Sequence, residues 1–173
     1  MNVSTAIRTK RAVRSFKPLS LPDDVVLAIL NAGRRAQSSK NEQSWRFVAI
    51  RDKSILMALS ECGRWAGHLA GAGLGIAILT PDPAEKFQYM FDAGQSAAYM
   101  QLAAWELGVG SCLASIYDDE QARRVLGYPA EWHLRIAISF GYPSLETELV
   151  AAPRKGGRQP IEQVVHYDRW AAG

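Results

Sequence analysis

Lys10-Arg11-Ala12-Val13-Arg14-Ser15-Phe16 sets the terms for the rest of this chain. With its flanks, five cations (Arg8, Lys10, Arg11, Arg14 and Lys17) fall within ten residues, and the first acid is Asp23. Val13 and Phe16 interrupt the charges with apolar side chains, so this is not a solvated basic tail. Cations held in an ordered, partly buried strand or turn need an anion to offset them.

Around that stretch, 173 residues suit one domain, 1–173, with a full hydrophobic core. Hydrophobic residues make up 48% and charged residues 21%, ordinary for a globular protein. No 18-residue apolar run is present, so no membrane span is expected. The first residues lack the apolar core of a signal peptide, and a cytoplasmic location follows by default. Cys62 and Cys112 are too few for a disulfide framework or a metal cluster. The net charge of +3 and pI of about 9.0 suit a phosphate-bearing ligand or a nucleic acid. No recognition motif accompanies the cations, so nucleic acid is set aside.

Moving outward, Val3, Ala6 and Ile7 have helical spacing over 3–9. Pro22, Asp23 and Asp24 start a helix that runs to Arg35 or Ala36. Residues 37–44 read as a polar loop, 45–51 as a strand and 53–62 as a helix. The apolar run 74–79 fits a strand covered on both faces. A long helix is predicted over 84–107, with Phe87, Met90, Phe91, Gly94, Ala98, Gln101, Leu102 and Trp105 in its repeat. Its middle is nearly free of bulk, which lets another helix, such as a symmetry mate's, approach closely. Residues 109–115 read as a short strand or turn. Asp118 with Gln121 resembles a capping box for a helix ending at Gly127. Leu134, Ile136, Ile138 and Phe140 alternate as a strand with one core face. Residues 144–160 look like loop, 161–165 like one helical turn and 166–170 extended. The mixed order without a clean βαβ repeat favours α+β.

The usual catalytic sets are missing. The chain has no Gly-x-Ser-x-Gly, His-Glu-x-x-His, Cys-x-x-Cys or Walker motif. His68, His133 and His166 are scattered, and Cys112 reads as a buried structural thiol. What remains is two basic ends and a loop of amides and hydroxyls.

Taken together, the motifs from Lys10 to Trp170 resemble the FMN-dependent nitroreductase family. Lys10–Phe16 is similar to its Arg-Arg-Ser-x-Arg-x-Phe opening. Gln37-Ser38-Ser39-Lys40-Asn41-Glu42-Gln43-Ser44-Trp45-Arg46-Phe47 is similar to its Pro-Ser-Ser-x-Asn-x-Gln-Pro-Trp-Arg-Phe. Asp92-x-Gly94, Leu107–Cys112, Gly141-Tyr142-Pro143 and Arg158–Trp170 resemble its central helix, the following turn and its ending.

The resemblance implies a nitroreductase-like α+β fold, with a mostly antiparallel central sheet flanked by helices, in a domain-entwined homodimer. Residues 144–173 would be an extension wrapping the partner. Lys10, Arg11, Ala12 and Arg14 would hold the FMN phosphate, ribityl chain and pyrimidine edge, with Arg158, and Arg154 or Lys155 after it, adding to the phosphate cluster. Ser38, Ser39, Asn41 and Gln43 would reach a flavin bound mainly by the other protomer. Leu113, Ala114 and Ser115 would line one face of the ring, a backbone amide pointing at N5. Arg64 and His68 are candidates for a further ring contact, and 82–90 for a lid. Ala12 stands where the family has serine, and Gln37 and Ser44 replace two prolines, which should loosen the loop. The implied activity is ping-pong hydride transfer from NAD(P)H through FMN N5 to a nitroaromatic, quinone or similar acceptor. The alternatives are a non-catalytic flavin-binding sensor or redox buffer, or a specialised flavin enzyme on the same fold.

Overall fold

The computed structural model describes residues 1–150 and 157–170. Ten elements follow in order: α1 (Val3–Thr9), α2 (Asp23–Arg34), β1 (Arg46–Ile50), α3 (Lys53–Ser60), β2 (Leu74–Thr80), α4 (Gln88–Glu106), β3 (Gly110–Ser115), α5 (Asp119–Leu126), β4 (His133–Gly141) and α6 (Thr147–Val150). The strands form one sheet in the order β1-β2-β4-β3, and every pairing is antiparallel. The architecture is α+β, as the element order predicts.

Helix starts follow local chemistry. Pro22 precedes α2, whose first turn holds Asp23 and Asp24 at the positive end of the dipole. Asp52 caps α3 by accepting from the Ser54 and Ile55 N–H groups at 2.8 and 3.1 Å. Asp118 accepts from the Gln121 N–H at 2.8 Å to start α5, and Gly127 ends it with φ 70.

Both faces of the sheet are covered. On one side Ile29 of α2 and Met100 of α4 pack against Ile76, Ile138 and Phe140. On the other, Leu56 and Leu59 of α3 meet Ala77, Leu79, Leu134 and Ala137. All of β2 is therefore buried, which explains its unbroken apolar sequence.

Four expectations need correction. Strand β4 does not keep one core face. Ile78 pairs with Ile136 and Leu79 with Leu134, so Arg135 is an extra residue. This bulge turns the alternation over: Leu134 faces the α3 side, and Ile138 and Phe140 face the α2–α4 side. Helix α4 begins at Gln88 and buries Asp92, Ala93, Ser96, Ala97, Met100, Gln101 and Ala104. Of the eight positions in the predicted repeat only Gln101 is in that set, and Phe87, Phe91, Gly94 and Ala98 are exposed. Small Ala93, Ser96 and Ala97 admit α2, where the Ser96 hydroxyl donates to the Gly33 carbonyl at 3.0 Å. Residues 166–170 are bent, not extended, because Asp168 takes a φ of 60 and folds Trp170 back onto the His166 ring at 4.1 Å. Thr147–Val150 adds a short helix where loop was expected.

Candidate functional site

The basic stretch lies along the outer edge of β3, the last strand of the sheet. The Val13 N–H donates to the Ser111 carbonyl at 3.0 Å, and Ala12 bridges Ser111 in parallel. Farther on, the Lys17 N–H donates to the Tyr142 carbonyl at 2.8 Å and Phe16 bridges Pro143. Val13 is fully buried, so the apolar residues that interrupt the charges are the pegs that hold the segment.

Strand alternation then fixes what β3 presents. Since the Ser111 carbonyl points outward, Leu113 and Ser115 turn their N–H and C=O groups the same way. Cys112 and Ala114 turn theirs toward β4, as does Ile116, whose N–H donates to the Arg135 carbonyl at 2.9 Å. Beyond Ser111 the basic stretch leaves this edge, so the Leu113 and Ser115 N–H groups face the side of β3 away from β4, where His68 meets the Leu113 backbone and Gly63 meets the Ser115 carbonyl.

Charge at this edge is unbalanced. Burial pulls the Lys10 ammonium below its ordinary pKa and nearby Arg14 adds to the effect, while the Cys112 thiol opposes both. None of the ion pairs among the described residues involves Lys10, Arg11 or Arg14. Arg11 folds back, donating through Nη1 to the Arg8 and Lys10 carbonyls at 3.0 and 3.1 Å, and its Nε is buried without a partner. Two neighbouring cations with no acid beside them fit a phosphate dianion, and the outward amides of β3 fit a ring bearing acceptor atoms.

His68 joins the same place. Its Nδ1 lies 2.7 Å from the Ser139 hydroxyl, which lies 3.3 Å from the Cys112 carbonyl. Burial holds its pKa below the ordinary value, Arg14 pushes the same way, and the Leu113 backbone opposes them. Ser139 was legible only as the outward position of an alternating strand; the structure buries it completely under His68.

The polar loop lies elsewhere in the chain. The Ser39 N–H donates to buried Asp92 of α4 at 2.9 Å, and the Gln43 N–H donates to the Ser38 hydroxyl at 3.0 Å. Lys86 reaches both Glu42 carboxylate oxygens at 2.9 Å. Lys40, Asn41 and Gln43 all hold positive φ, between 50 and 57. The loop is pinned, not loosened, despite the missing prolines. Asn41 and Gln43 are exposed, and Ser38 and Ser39 border a cavity of about 510 Å³ with Phe87 and Phe91. Within the chain, then, Lys10, Ala12, Arg14, Leu113, Ala114 and Ser115 come together, and Ser38, Ser39, Asn41 and Gln43 form a second group anchored on α4. Arg158 is exposed, and Arg154 and Lys155 lie outside the described residues.

The chain matches the model of the Nitroreductase family over residues 7–62 and 58–142. A relative from Archaeoglobus fulgidus, named as a provisional NADH dehydrogenase/NAD(P)H nitroreductase, is 28% identical over 95% of this chain and 96% of its own. Among solved structures, an FMN-dependent nitroreductase from Clostridium difficile superposes with a TM-score of 0.81 at 28% identity, covering 95% of this chain and 98% of that one. A provisional nitroreductase from Desulfovibrio desulfuricans, solved in complex with FMN, gives a TM-score of 0.80 at 26% identity and covers 99% of both chains.

Proposed function

Because the chain belongs to the nitroreductase family, we propose that this oxidoreductase binds FMN, works as a homodimer and takes reducing equivalents from NAD(P)H. Its acceptor is a nitroaromatic, a quinone or a similar small molecule. The observation that carries this reading is the Lys10–Arg14 pair: two neighbouring cations with no acid partner among the described residues, beside the outer edge of β3.

FMN supplies the two-electron chemistry that lets reductant and acceptor react in turn at one site. The chain's own part is to bind and orient. Lys10 and Arg14 offset the phosphate charge, with Arg158 and Arg154 supplementing them. Arg11 and Ala12 contribute backbone along the same segment, and Arg11 also offers its partnerless Nε. The Leu113 or Ser115 N–H donates to an acceptor atom of the ring, and Ala114 keeps the strand slim there. Cations near the ring's pyrimidine edge favour negative charge on it. No side chain is asked to act as general acid or base, in keeping with the sequence's lack of such sets.

The homodimer accounts for two features left open in one protomer. The outer face of α4 exposes Phe91, Gly94, Ala98 and Tyr99, a flat surface suited to a second helix. The C-terminal segment exposes Ile161, Val164, Tyr167 and Trp170, apolar side chains that a partner would cover. Ser38, Ser39, Asn41 and Gln43 then reach the partner's cofactor. No helix among the described residues is long and apolar enough to cross a membrane.

The test is the visible spectrum of the purified protein and its anaerobic bleaching by NADH or NADPH. Flavin absorbance with rapid bleaching is the expected result. Flavin without bleaching means binding without turnover, and a colourless protein that takes up no added FMN overturns the reading. Arg14→Ala with Arg158→Ala should leave a folded protein that has lost FMN; stoichiometric FMN in that variant would show the phosphate assignment to be wrong.

A further inference from the structure

We propose that the cavity between the segment following α3 and the turn following β3 binds a flat aromatic cation. The cavity measures about 840 Å³, within the ~300–1,000 Å³ of small-molecule sites. Two large aromatic side chains border it, Trp65 and Tyr117, and they stay 70% and 68% exposed. Aromatic rings left uncovered in a concave surface are ready stacking partners for a planar ligand.

The walls are preformed. The Tyr117 and Asp118 N–H groups both donate to the Cys62 carbonyl, at 2.9 and 3.1 Å. Next along the chain, Gly63 approaches the Ser115 backbone so closely that an added Cβ would lie 2.1 Å from its carbonyl oxygen. These contacts hold the two segments together, so the rings border a fixed cleft.

Charge selects among planar ligands. Glu61, Asp118 and Glu120 line the cavity against one cation, Arg64. The Arg64 guanidinium lies 5.2 Å from the Trp65 ring centre, so a face of that ring already attracts positive charge. Asp119 is committed elsewhere, to Arg123, His133 and Tyr128. A cationic heteroaromatic ring gains from the acids and the π-faces together, whereas a carboxylated analogue meets repulsion.

The role of this ligand, though not its binding, rests on the flavin reading. The cavity abuts Ser115, next along the open β3 edge from Leu113. An acceptor drawn there would be an aromatic cation in preference to a carboxylate.

The experiment is a fluorescence-anisotropy titration of the purified protein with N-methylacridinium and, separately, with acridine-9-carboxylate. The cation should bind at least about tenfold tighter. Trp65→Leu should weaken its binding, and Glu61→Gln with Glu120→Gln should erase most of the preference; all three side chains are exposed, so the fold should tolerate both changes. Equal affinity for the two dyes, no binding of the cation, or binding indifferent to Trp65→Leu overturns the proposal. The spectrum and bleaching of the same preparation are read in parallel. A protein without flavin that still binds the cation through Trp65 defeats only the flavin reading, and a bleachable flavoprotein indifferent to the cation defeats only this one.

Discussion

Two charged clusters sit against this sheet, and they are built in opposite ways. At the α5–β4 end, Asp119 accepts from the Tyr128 hydroxyl at 2.6 Å, the Leu134 N–H at 2.7 Å, His133 Nδ1 at 2.9 Å and Arg123 Nη2 at 3.2 Å. Burial alone would raise the Asp119 carboxyl, but these donors outweigh it and hold its pKa below the usual value. The same arrangement pushes the Tyr128 hydroxyl well up, burial first and Asp119 second. At the β3 edge, Lys10 and Arg14 feel each other's charge, and neither pairs with a carboxylate among the described residues. A cluster that satisfies itself holds a fold together. One that leaves like charges adjacent costs stability and is explained by a ligand of opposite charge.

The sharpest way to break the contrast is Asp119→Ala. It strands the Leu134 N–H and leaves Arg123 and Tyr128 with only backbone carbonyl partners, and should cost about 2–4 kcal/mol. The urea midpoint would fall with an unchanged slope. A loss under about 1 kcal/mol would mean the network is not what locks α5 to β4.

Arg14→Ala should do the reverse. Stability is expected to hold or rise slightly as repulsion on Lys10 eases. Affinity for FMN should fall by about 1.5–3 kcal/mol, the usual worth of a hydrogen bond to a charged group. Flavin-fluorescence titration beside a urea melt reads both. A variant that unfolds more easily yet keeps its affinity would move Arg14 into the structural class.

How far the sequence revealed these clusters follows from the range of the contacts. The basic stretch was legible because its cations lie within ten residues and its pegs, Val13 and Phe16, stand among them. The caps at Asp118 and in the first turn of α2 were legible because their partners lie within one turn. Asp119 was not, since its donors come from Arg123, Tyr128, His133 and Leu134, spread over two elements and the connection between them. Ser139 was misread because alternation gives a polar residue a face but says nothing of the loop lying over it. The buried side of α4 escaped for a related reason: its core face is mostly Ala, Ser and polar residues, which hydrophobic periodicity does not score as apolar, while Phe91 points away. The bulge at Arg135 leaves no trace in a pattern of alternating apolar residues.

Gly63→Ala probes the seam between the β3 edge and the cavity beside it. The obstacle is the Ser115 carbonyl, which is backbone and cannot swing aside as a flexible side-chain tip could. A loss of about 1–3 kcal/mol is expected, with weaker binding of the aromatic cation. Loss of stability with the cation's affinity unchanged would separate the seam from the site.

The smallest effect concerns His68, which borders the unbalanced cluster. Burial and then Arg14 hold its pKa below 6.5 in the folded chain, whereas the unfolded chain titrates near 6.5. As pH falls below 6.5 the unfolded state takes up a proton that the folded state resists, so stability declines until the folded pKa is passed. Asp119 is also depressed, but its ordinary value is 3.8, so its loss comes at lower pH and the two windows separate. Urea melts through the range just below neutrality should therefore show a decline that His68→Asn abolishes and Arg14→Ala reduces. Phosphate should reduce it too, because an anion beside Arg14 screens the charge that His68 feels. If the decline is the same with and without phosphate and in Arg14→Ala, burial alone sets the pKa of His68, and the histidine belongs to the core without being part of the electrostatics of the site.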